Sequence, residues 1–151
     1  MNRHDDKRDQ GKLEEVVRIV RSGHEFFVNA YAGLSDAQLR TGFAYIIDVK
    51  SQCLVDIAPW VCGEPIRVLD PDSPVVAIER IYADASRTFS GRKPIACASE
   101  LGFGEAQLLR LTKQAYEATS DIKLKRLLKG YFPQFVICRE AMWRLNSRLA
   151  A

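Results

Sequence analysis

Nineteen carboxylates, two histidines (His4 and His24) and four cysteines are the side chains of this 151-residue chain best suited to holding a metal. Di-metal carboxylate centres inside helical bundles take one Glu from each of two helices. They take a Glu-x-x-His from each of the other two, and all of these ligands point inward. The pattern fails here. The helical segment from Phe43 to Ile57 offers Asp48 and Ser51 where a Glu-x-x-His would stand. The C-terminal segment has no histidine, and its nearest approach is Glu140-Ala141-Met142-Trp143. His4, beside Asp5 and Asp6, reads as a surface cluster in a polar N-terminus.

Register removes two further carboxylates. At about 100° per helical residue, Glu25 aligns with Arg18, Arg21 and Asn29, opposite the apolar stripe, and Asp48 falls on the outer face of its helix. Three other ionisable residues lie on or beside apolar stripes. Lys50 sits among Ile46, Ile47, Cys53 and Leu54; Glu105 among Leu101, Leu108 and Thr112; and His24 at a stripe edge, level with Val17 and Tyr31. A charge turned inward must be paired or must shift its pKa. The expected arrangement is Lys50 meeting Glu105 in or near the core, with His24 hydrogen-bonded to them. Two alternatives stay open. In one, Lys50 snorkels to the bundle's edge while Glu105 reaches water or a dimer contact. In the other, Glu105 and His24 hold a single metal ion. No residue is assigned a catalytic role, since nucleophile-elbow, phosphate-loop and dinucleotide motifs are all missing.

The elements that must position these groups are helices. Apolar residues recur at three-and-four spacing from near Gln10 to Ala32, after a charged arm over residues 1–10 expected to be mobile. Gly33 ends that helix and Ser35 caps a second, near Asp36 to Ala58, stopped by Pro59. A Gly- and Pro-punctuated stretch from Val61 to Pro71 reads as a crossover. Ser73-Pro74 starts a shorter third helix carrying Val75, Ile78, Tyr82, Ala85 and Phe89 inward. A fourth is expected from Lys93 or Pro94 to Thr119, with Gly102 and Gly104 marking close packing or an irregularity. Ser120-Asp121 begins the last, whose stripe keeps phase across Pro133 and so implies one kinked helix. Four long helices plus a shorter crossover helix make an all-α, ferritin-like up-down helical bundle, one domain over residues 11–151.

Composition narrows the classes. A net charge of +3, with 22 basic residues interspersed among 19 acidic ones, does not favour nucleic acid. No apolar run approaches the roughly 18 residues a membrane span needs. The polar N-terminus lacks a signal-peptide core, so a cytoplasmic protein is expected. Cys53 and Cys138 fall on apolar faces, where a thiol acts as a small hydrophobe. Cys62 and Cys97 lie nearer segment ends, with nothing beside them that would activate a thiol.

The pieces Gly23–Ala30 (GHEFFVNA), Phe43–Ile57, Gly63-Glu64-Pro65, Gly91-Arg92, Gly104-Glu105 and the run to Tyr116 share an order and spacing. Through them the chain resembles a bacterial ferritin-like family of four-helix-bundle proteins known only as a domain of unknown function. The resemblance implies a fold and a broad class, and little chemistry. Taken with the poor ligand set, the expected function is a non-catalytic protein-interaction or dimerisation module. It would have a degenerate metal site, no cofactor, and a homodimer mate or another protein as partner. The alternative is a metal-binding oxidoreductase or iron-binding protein, using iron or manganese at an unusual carboxylate-rich site. A third possibility is a small-ligand or lipid-binding bundle with a pocket near Gly102 and Gly104.

Overall fold

A computed structural model describes the backbone of residues 3–61, 71–89 and 97–150, and the side chains of 11–61, 71–87 and 97–145. The described residues form five α-helices: α1 (Arg3–Ala32), α2 (Ala37–Ile57), α3 (Pro74–Phe89), α4 (Ala98–Ala118) and α5 (Ile122–Ala150). A single 3₁₀ turn, Ala58–Trp60, follows α2.

Local chemistry sets most of the boundaries. The α1–α2 turn closes with Gly33 and Leu34 donating to the carbonyls of Ala30 and Tyr31. The cap of α2 is Asp36, not Ser35: its carboxylate accepts the Leu39 amide at 3.0 Å. Ser73 caps α3 through its hydroxyl, 3.3 Å from the Val75 amide, with Pro74 in the first turn. Asp121 caps α5 through Leu124 at 3.1 Å. The helix then runs unbroken through Pro133. An interior proline costs about 3 kcal/mol. Burial of Tyr131, Phe135, Cys138 and Met142 on one stripe offsets that cost.

Two boundaries differ from expectation. Helix α1 begins at Arg3, so the segment expected as a mobile arm is helical from there on. Helix α4 begins at Ala98 rather than near Lys93 or Pro94. The crossover from Val61 to Pro71, Cys62, the Gly63-Glu64-Pro65 piece and the Gly91-Arg92 piece lie largely or wholly outside the described residues.

Side-chain contacts give the helix directions. Lys12 on α1 reaches Gln114 on α4, while Gly23 lies at the level of Lys50 and its mate Glu105, so α1 and α4 are antiparallel. Gly102 packs on Trp143, and Tyr116 packs on Phe132, so α4 and α5 are antiparallel as well. Tyr131 near the start of α5 bonds Asp56 near the end of α2. Helices α1, α2, α5 and α4 thus form a ring of antiparallel neighbours. Helix α3 runs parallel to α1, pairing Glu79 with Arg18 and setting Tyr82 against Gly23, and it also packs on α4.

Candidate functional site

All five helices contribute to the middle of the bundle. From α1 come Phe27 and Gly23, from α2 Lys50 and Cys53, from α3 Tyr82, from α4 Glu105, and from α5 Cys138. Lys50 and Glu105 are completely buried, at 0% exposure. The Lys50 ammonium donates to Glu105 Oε2 at 3.1 Å and stands 3.0 Å from Oε1. Only the first contact has hydrogen-bond geometry, so Oε1 is held by charge without a directed donor. The Phe27 ring centroid lies 5.7 Å from the ammonium and gives it a second favourable surface. Thr112, two turns beyond Glu105 on the same buried face of α4, donates its hydroxyl to the Leu108 carbonyl at 2.7 Å and is occupied there.

Burial alone would lower the pKa of Lys50. The Glu105 carboxylate, helped by that hydrogen bond, outweighs it and raises the value above the ordinary lysine range. Lys50 is therefore a fixed ammonium and not a nucleophile. Burial, first, pushes the neighbouring groups toward their neutral forms. The thiols of Cys53 and Cys138 are pushed up to about 12, with Lys50 partly opposing in each case, and the Tyr82 phenol is raised as well. The buried Tyr82 hydroxyl has no well-formed hydrogen bond among the described residues.

Gly23 explains how this cluster fits against α1. A Cβ there would stand 2.7 Å from the Tyr82 hydroxyl and 3.1 Å from Lys50 Cε. The absent side chain is thus what lets the phenol and the lysine stem approach the α1 backbone.

The structure brings Lys50 and Glu105 together and leaves His24 aside. His24 is half-buried, and no hydrogen bond or ion pair joins it to either residue among those described. Among the described residues, Glu105 and His24 belong to no group of three or more side chains that could share a metal ion. Glu25 and Asp48 are exposed, as their register implies. Sequence reasoning placed Tyr82 and Cys138 inward but did not join them to the charged pair. A glycine inside an apolar helical stripe, Gly23, was the available signal of a close approach.

The donor set fits neither iron nor manganese. No group of three or more His, Cys, Asp or Glu side chains among the described residues lies close enough to share an ion. Glu105 is the one carboxylate at the centre, and it already faces an ammonium that would repel a dication.

Near Gly102 and Gly104, where a pocket was expected, the two glycines have different surroundings. A Cβ on Gly102 would lie 2.8 Å from the Trp143 ring, and one on Gly104 would meet Ile78 at an ordinary 3.8 Å. An open groove of about 870 Å³ lies instead between the first half of α2 and the last part of α5. Leu39 and Gly42 line it from one side, and Ala141, Trp143 and Leu145 from the other. No described helix is long and apolar enough to cross a membrane. Compared with protein-family models, curated proteins and solved structures, the chain matches none.

Proposed function

We propose that this chain is a non-catalytic, ferritin-like helical bundle that works by binding a second copy or another protein, and that its centre is a degenerate metal site. The helix order supports the fold. Two antiparallel helices, an intervening segment carrying α3, and a second antiparallel pair whose first member runs parallel to α2 are what a one-crossover bundle requires. The observation that carries the function is the fully buried Lys50–Glu105 pair. In this reading a permanent ammonium takes the position of a cation and neutralises the one central carboxylate. The charge is satisfied within the chain, and no reactive group of the described centre is left open to substrate.

Metal content decides between this reading and a redox one. Protein purified without chelator and challenged with ferrous iron or manganese should hold far less than one ion per chain by inductively coupled plasma mass spectrometry. Stoichiometric metal, lost on Glu105→Ala, would overturn the reading and restore an oxidoreductase or iron-binding role.

A further inference from the structure

The groove between α2 and α5 carries features the central pair does not explain. Its α5 side exposes a bulky apolar residue, Trp143, at 47%, and Ile137, at 46%, lies just beyond. On its α2 side, nothing lies within 4 Å of where a Gly42 side chain would stand. Glu140 and Arg144 line the same groove, both exposed. Four residues apart, they project about 40° from each other and could pair along the helix. Yet no ion pair joins either to a described residue, although three other pairs form in the structure.

We propose that this groove is the face through which two copies of the chain meet about a two-fold axis, with α5 lying antiparallel to the partner's α5. The occupant follows from charge and size. An isologous contact presents the same patch twice, so the patch must complement itself. With the axis at the level of Met142, residue 140 of one copy stands opposite residue 144 of the other. Glu140 then faces the partner's Arg144, and Arg144 faces the partner's Glu140, giving two interchain pairs from one unpaired couple. In that register Trp143, about 160° around α5 from Ala141, flanks the contact on the α4 side. A small-molecule site would instead require enclosure and converging polar groups. Here the polar groups stand exposed on the groove, and the bulk of Trp143 lies on the same face as the hollow at Gly42. The proposal rests on the reading of the chain as an interaction module and names its surface.

The test is a charge exchange on the full chain, read by sedimentation equilibrium over a concentration series, with circular dichroism confirming the fold. The wild type should dimerise. Glu140→Arg and Arg144→Glu should each raise the dimer dissociation constant by roughly 100-fold, because each puts like charges opposite one another at two places. Mixing the two single variants should restore association as a heterodimer, and the double exchange should restore the homodimer. A structural lesion would not produce that recovery. A wild-type dimer indifferent to all these exchanges would overturn the groove assignment while leaving the interaction-module reading in place. A wild type that stays monomeric, or a groove that takes up lipid or a small apolar probe with no dimer formed, would also overturn it. Bound metal would strike only at the separate reading of the core.

Discussion

The centre of this bundle and the groove at its α2–α5 side use charge in opposite ways. At the centre, Lys50 and Glu105 are wholly buried, and each satisfies the other. At the groove, Glu140 and Arg144 are exposed and unpaired within the described chain, beside an apolar ring that water still reaches. Desolvated charge in a folded core must be matched internally, because nothing else can reach it. Solvated charge beside exposed apolar surface carries no such constraint and remains free to choose a partner. The centre therefore ties the helices together from within, and the groove is the surface proposed to meet a second copy.

The sharpest way to break this contrast is to remove one member of the central pair. Lys50→Met alone, or Glu105→Leu alone, leaves an uncompensated buried charge and should cost about 3–5 kcal/mol in urea unfolding. The double variant Lys50→Met/Glu105→Leu should recover most of that loss or exceed the wild type, since apolar replacements of a buried pair are often neutral or better. If both single changes proved harmless, the ammonium and carboxylate would not depend on each other, and the centre would lose its distinction from the surface.

A smaller effect should appear in alkali. In the folded protein Cys53 and Cys138 keep their protons up to about 12, against an ordinary value of 9.0. Between those values the unfolded chain has lost protons that the folded chain retains. Stability therefore falls as pH rises, at up to about 1.4 kcal/mol per pH unit for each thiol. Lys50 acts in the same direction but higher, since its contribution is complete below the ordinary lysine range and is lost only above it. Denaturant midpoints measured from pH 8 to 11 should slope downward, and Cys53→Ala/Cys138→Ala should flatten the slope while lowering the neutral-pH plateau. An unchanged slope in that variant would place the alkaline loss elsewhere.

The parts of the molecule legible in sequence were those governed by helical period. Stripe register put Lys50 and Glu105 on apolar faces and Glu25 and Asp48 on outer ones, and the structure places all four so. His24 was harder to place, because at a stripe edge one step of 100° separates core from flank, and it is half-buried. Helix ends were less legible. Asp36 and Ser35 are both good caps, and only the Leu39 amide chooses between them. The helical start at Arg3 lies in a polar stretch where apolar spacing gives no signal. The groove was invisible, since it depends on which residues α2 and α5 leave unfilled when they pack, a property of two helices together.

Three glycines sharpen the comparison with the smallest effects, because one substitution meets three different surroundings. Glycine-to-alanine in a helix interior gains about 1 kcal/mol when the methyl group has room. At Gly42 nothing lies within 4 Å of the new Cβ, so Gly42→Ala should stabilise by about 0.5–1 kcal/mol. At Gly23 the Cβ meets the Tyr82 hydroxyl at 2.7 Å and Lys50 Cε at 3.1 Å, inside a core where neither can retreat to solvent. Overpacking of about 1–3 kcal/mol should then outweigh the helical gain, so Gly23→Ala should destabilise. At Gly102 the Cβ meets the Trp143 ring at 2.8 Å, but that ring is already half-exposed and can swing outward. Gly102→Ala should therefore leave stability within about 0.5 kcal/mol of wild type. It should also shift tryptophan emission to longer wavelength, as the displaced ring meets more water. A Gly23→Ala protein as stable as Gly42→Ala would mean that the centre yields as readily as the groove, and the contrast between a sealed interior and an open docking face would have to be withdrawn.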